Sequence, residues 1–194
     1  MNDMEISILT NHLLITVVAW IGALMIGGGV GHIVARALIP IMKAKPVSRR
    51  NMSLIPWRSI IFMLLLLVWS PILGIWLGLG NLTGIAIVGL TLSLLAMSMM
   101  MKAQVNQWFP SSLLEYIVSL ARTLLMIALF ATLGVGYVGA GGLGFYLMQQ
   151  VKLMEYGKLY EGFFILGVTA LILDLVFGVI QFRVSRDPQP SPMK

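Results

Sequence analysis

The chain has 194 residues, of which 59% are hydrophobic before its 20 glycines are added, while only 10% are charged. Soluble domains carry roughly 45–50% apolar residues with glycine included, and about 25% charged ones. So few charges cannot clothe a soluble body of 21.3 kDa, and a mean hydropathy of +0.95 agrees. The composition reads as an all-α, polytopic membrane helical bundle. A net charge of +6 does not by itself indicate nucleic acid, because basic cytoplasmic loops give the same balance. Having no cysteine, the chain has no disulfide, thiolate metal site or cysteine nucleophile.

Residues 1–11 contain Asp3 and Glu5 but no Lys or Arg. A cleaved signal peptide needs a basic start, so the first apolar segment is expected to be retained. Residues 6–35 carry no Lys, Arg, Asp or Glu, which predicts a first membrane helix over 13–35. Within it, Gly27-Gly28-Gly29-Val30-Gly31 reads as a place where helices pack closely. Residues 59–101 are again uncharged, about twice the ~20 residues that cross a bilayer, so they must fold back. The run Gly78-Leu79-Gly80-Asn81-Leu82-Thr83-Gly84 has turn composition and divides them into helices near 59–78 and 83–101. The methionines Met97, Met99, Met100 and Met101 read as adaptable packing rather than a metal site.

A fourth helix is predicted over 113–138, its start marked by Pro110 and by Ser112-Leu113-Leu114-Glu115, a capping-box pattern. A fifth is predicted near 160–182, with Asp174 as the one charge in its interior, beyond Glu161 at its start. Residues 1–186 form one membrane domain in this reading, and the Pro-rich 187–194 a disordered cytoplasmic tail. All 13 Lys and Arg residues except Lys152 and Lys158 fall on one side of these five spans. The positive-inside rule then puts the N-terminus outside and the C-terminus in the cytoplasm. A cysteine placed at Val47 should react from the cytoplasm and one at Asn81 from outside. Labelling of Val47 from outside would sink this orientation.

Few residues can carry chemistry. Gly139-Ala140-Gly141-Gly142-Leu143-Gly144 matches the letters of a dinucleotide fingerprint, but it follows a membrane helix rather than a strand. It reads instead as an external turn, with Gly139, Gly141, Gly142 and Gly144 letting backbones approach. Arg122 and Asp174 lie at similar depths in neighbouring spans and are expected to pair. The pair is either structural or part of an ion or proton relay, and the alternative to pairing is that the two charges snorkel separately to the inner interface. His12 and His32 are the only histidines, and neither belongs to a metal-binding motif. No catalytic residue, metal or cofactor is assigned, and the chain is expected not to be an enzyme.

Several stretches resemble the membrane permease subunits of binding-protein-dependent ABC importers. The first helix, from Asn11-His12-Leu13-Leu14-Ile15-Thr16 to Gly31, is similar to that of the sulfonate, taurine and nitrate permeases. So are Ile55-Pro56-Trp57-Arg58 and Trp76-Leu77-Gly78-Leu79-Gly80. Leu120-Ala121-Arg122 looks like the family's Leu-Arg after the coupling loop. The string Gly139 to Gly144 is the one found in methionine and betaine permeases. Leu171-Ile172-Leu173-Asp174-Leu175 through Arg186 resembles the last helix.

The resemblance implies a multi-pass protein of the bacterial inner membrane, set in membrane lipid and paired with a second permease subunit. It also implies cytoplasmic ATPase subunits and an external solute-binding protein as partners, and no nucleic acid. One departure is large. The family's Glu-Ala-Ala coupling loop is replaced by a short connection in which Lys102, Gln104, Asn106, Gln107 and Trp108 are the candidates for a reduced ATPase contact. That leaves two expectations: a permease subunit, or a permease-derived structural subunit of a larger membrane complex that transports nothing.

Overall fold

The computed structural model describes residues 3–43, 71–72, 74–78, 80–105 and 113–186. Among these residues the structure is helical with short turns and contains no strand. The first rod consists of α1 (Asp3–Ala23), a π-helical turn (Leu24–Gly28) and α2 (Gly29–Lys43). It is followed by α3 (Asn81–Val105) and α4 (Leu113–Val135). A second π-helical turn, Gly136–Ala140, leads into the short α5 (Gly142–Lys152), and α6 (Tyr156–Arg186) ends the bundle.

Four segments are long and apolar enough to cross a membrane: Ile6–Val34, Asn81–Met100, Leu114–Val135 and Tyr156–Ser185. They correspond to the predicted first, third, fourth and fifth spans. Of the predicted second helix, residues 59–70 and 73 lie outside the described residues, while 71–72 and 74–77 are helical. The tail 187–194 and most of the basic 36–58 segment also lie outside them. The first, third and fifth rods overrun their predicted ends because charge marks where a span must stop being buried, not where helical hydrogen bonding stops, whereas α4 ends at Val135, short of the predicted 138. The last helix has 31 residues, or about 46 Å at ~1.5 Å per residue, well beyond a ~30 Å hydrocarbon core.

In a bilayer, where lipid is as apolar as leucine, helices of this kind associate through close contact rather than hydrophobic burial. Glycine supplies that contact where it matters. A Cβ at Gly27 would stand 2.1 Å from the carbonyl oxygen of Ser93, and one at Gly31 would stand 2.8 Å from the Cα of Met97. The first rod therefore rests backbone to backbone on α3. Ala19 and Ala23 continue the seam with Ile87, Val88, Leu92 and Ala96, and α4 closes it with Leu120, Leu124 and Ala128. Two hydrogen bonds cross from α1 to α4: Thr16 Oγ1 to Thr132 Oγ1 at 3.2 Å, and Trp20 Nε1 to the Ala121 carbonyl at 2.9 Å.

The sequence reading put a plain turn after the fourth span. The structure instead folds the chain back as α5, which was not anticipated. Gly139, at φ 98°, and Gly141, at φ 81°, make a reversal that other residues rarely adopt. Gly136 and Gly144 then meet so closely that a Cβ on Gly136 would lie 2.7 Å from the Gly144 Cα. Leu143 and Leu147 of α5 pack with Leu129 and Leu166 in a second small core.

Candidate functional site

The polar residues of α4 and α6 fall on facing stripes. On α6, Asp174, Gly178, Gln181 and Ser185 recur every three or four residues, so they share one helix face. On α4, Glu115 and Arg122 stand two turns apart and also share a face. The two helices bring these stripes together. Arg122 donates from Nε to Asp174 Oδ1 and from Nη2 to Oδ2, both at 2.7 Å. Its Nη1 donates to Gln181 Oε1 at 3.1 Å. Ser185 Oγ donates to Glu115 Oε1 at 2.8 Å, one step nearer the end of the bundle.

Geometry explains why arginine is the residue that suits this place. A planar guanidinium meets a carboxylate with two parallel hydrogen bonds, and a lysine could supply only a point charge. Gly178 gives the guanidinium a flat floor, since a Cβ there would lie 3.8 Å from its nitrogens, in ordinary contact. Arg122 lies about 12 Å from Leu114 along the helix, inside the candidate span. Yet the side chains are 32% and 45% exposed on the flank of the bundle. An ion pair left facing hydrocarbon is costly, so such residues usually face protein or a watery cavity.

The other candidates are placed more simply. Lys102 and Gln104 belong to the last turn of α3, which continues to Val105. Asn106, Gln107 and Trp108 lie outside the described residues, so the docking role given to them remains an expectation. Gly139, Gly141, Gly142 and Gly144 sit together at the reversal into α5, far along α4 from Arg122. The structure does not join them to the charged seam.

Sequence reasoning missed two features. Gln181 and Ser185 could have been found from their helical spacing to Asp174. His12 gave no such signal, because a single histidine in an apolar helix has no motif around it. In the structure it is fully buried, and neither ring nitrogen has a hydrogen-bond partner among the described residues, although the Leu129 backbone lies beside the ring.

Among the described residues no group of three or more His, Asp or Glu side chains could hold a metal ion. An open apolar cleft of about 400 Å³ between α3 and α4, lined by residues such as Ile87, Thr91, Ile127 and Phe130, presents no charged group among its described lining residues. Compared with family models, curated proteins and solved structures, the chain matches none of them.

Proposed function

We propose that the chain is the membrane permease subunit of an ABC-type importer in a bacterial plasma membrane. In this reading it has five spans, with the N-terminus outside and the C-terminus in the cytoplasm, and a second permease subunit covers its α4–α6 flank. Solute passes between the two subunits. Separate cytoplasmic subunits hydrolyse ATP, and an external binding protein delivers the solute. The observation that carries the reading is the half-exposed Arg122–Asp174 pair within the span region. A charged seam on a membrane flank is explained if it borders a hydrated path between subunits. The order of family-like segments along the chain supports the same assignment.

The short connection between α3 and α4 favours a second reading, a permease-derived structural subunit. By sequence, the eleven residues from Lys102 to Ser112, with Pro110 among them, leave little room for a separate rigid helix that would carry a nucleotide-driven movement to the spans. A scaffold would bury the same seam dry against another protein.

Cysteine labelling in native membranes distinguishes the two, and the absence of native cysteine gives it a clean background. Gln181→Cys and Ser185→Cys should react with a charged, membrane-impermeant thiol reagent, while Ile172→Cys and Val176→Cys on the opposite, apolar face should not. Seam cysteines as inert as the apolar ones would overturn a hydrated path. Co-isolation of an ATPase with the tagged chain would support the importer, and co-isolation of a non-transport complex the scaffold.

A further inference from the structure

The turn that joins α5 to α6 exposes a contiguous group of apolar side chains. Residues 151–158 and Tyr160 are all exposed. Leu153 and Met154, at the tip, are 66% and 74% exposed, and Tyr160 is 73% exposed. The tip is not a frayed helix end. Met154 N donates to the Val151 carbonyl at 3.1 Å and Glu155 N to the Gln150 carbonyl at 3.0 Å, the paired bonds that close a helix C-terminus. The residue at the bend of such a closure is usually glycine, because its backbone is left-handed. Here it is Met154, at φ 57°. A side chain held in that conformation costs stability, and water gives an apolar one nothing to offset the cost.

The length of α6 sets where this turn lies. From Tyr160 to Arg183 the helix runs about 35 Å at ~1.5 Å per residue. A tilt of ~20° brings that close to a ~30 Å hydrocarbon core. Between Glu161 and Arg183 the one charge is Asp174. With Arg183 and Arg186 at one interface, Tyr160 falls at the other, and Tyr156 stands about 6 Å further out. The polar layer on each side of a bilayer is roughly that deep. Tyrosine suits this layer, with an apolar ring and a hydroxyl at headgroup level. Tyr160 also heads an exposed apolar stripe, since Phe164, Leu171 and Leu175 follow it at helical spacings and are all exposed. The charges fit as well. Lys152, the one charged residue of α5, is exposed beside the tip, while Lys158 pairs with Glu155 at 2.6 Å.

We propose that the α5–α6 turn is seated in the lipid headgroup layer and anchors this end of the bundle, with Leu153, Met154 and Tyr160 against lipid and the Lys152 ammonium against lipid phosphate. Lipid is the occupant because the apolar tip continues into the exposed stripe of α6, and because the basic residue beside it complements a phosphate. The anchor fixes how deep α6 sits, and with it the level of Asp174, about 21 Å along the helix from Tyr160. An importer and a scaffold would both be seated this way, so failure of the anchor would leave the importer reading untouched, and the reverse.

The test uses the full chain in phosphatidylcholine nanodiscs, where both membrane faces are open to solvent. Leu153→Cys and Met154→Cys are made singly and labelled with bimane, against a background without native cysteine. Both positions are exposed, so the substitutions leave the packing intact. Quenching is read from water with iodide and from lipid with a nitroxide placed on the headgroup or deep in the acyl chain. Both labels should lose most of the iodide quenching shown by the free bimane–cysteine adduct, and the headgroup nitroxide should quench them several-fold more than the deep one. Iodide quenching equal to that of the free adduct would put the tip in water and overturn the proposal. Stronger quenching by the deep nitroxide would put it in hydrocarbon, and shielding from all three quenchers would mean that protein covers it; either result overturns the anchor as well. In a second arm a bimane at Tyr160→Cys reports on Leu153→Asp combined with Met154→Asp. Its iodide quenching should rise as the end of α6 loses its anchor, and no change there would show that the tip does not set the depth of the helix.

Discussion

Replacing Gly27 with leucine is expected to prevent recovery of a monodisperse protein from detergent, whereas the same change at Gly29 should be tolerated. At Gly27 the added Cβ would meet Ser93 backbone atoms at 2.1, 2.6 and 2.7 Å. Backbone cannot swing aside as a side chain can, so the first rod and α3 would have to separate. Membrane helices gain their association from close packing, and separation forfeits it along the whole seam from Gly31 to Ala19. Overpacking ordinarily costs ~1–3 kcal/mol, and a clash against backbone belongs at or above the upper end. Gly29 has no atom within 4 Å of its would-be Cβ and points away from the bundle. Thermal unfolding followed by size-exclusion chromatography compares the two variants directly. Equal melting temperatures for Gly27→Leu and Gly29→Leu would show that the glycine seam does not hold the helices together.

Much of this architecture is legible in the sequence, because a bilayer forces long uncharged runs into helices and leaves charge at their ends. The tight packing role of Gly27 and Gly31 follows from the same rule, since only small residues let two backbones touch. The approach of Arg122 to Asp174 follows from depth alone: two opposite charges equally far inside an apolar slab have few other places to go. What the sequence concealed is of another kind. The short α5 is hidden by residues 123–151, an uncharged run that gives no hint of where one helix ends and another begins. Only the glycines at 139 and 141 signal the reversal, and their letters do not say that a helix follows. His12 is concealed because burial of a single polar side chain depends on which helices surround it. The glutamate of the Ser112–Glu115 capping pattern reaches across to Ser185 on α6, a contact no local pattern encodes.

Removing either charge of the Arg122–Asp174 pair should lower folded yield more than removing both. Arg122→Ala strands a carboxylate in the span region with only solvent or lipid to meet it. It also takes the donor from Gln181. Asp174→Ala leaves a guanidinium with two unanswered hydrogen-bond donors, although arginine's long stem lets it reach toward the nearer interface. Asp174→Ala should therefore be the milder single change. The double variant, Arg122→Ala with Asp174→Ala, presents only methyl groups on that flank and has no charge left to desolvate. Because the two side chains retain 32% and 45% exposure, the single losses should be partial rather than complete. Arg122→Lys separates charge from geometry: it keeps the ion pair but loses the two-point contact, and should fall between wild type and Arg122→Ala. Folded yield and melting temperature of the four members of the cycle give the coupling. Strictly additive losses would mean that the two residues act separately and that the contact between α4 and α6 does not depend on their pairing.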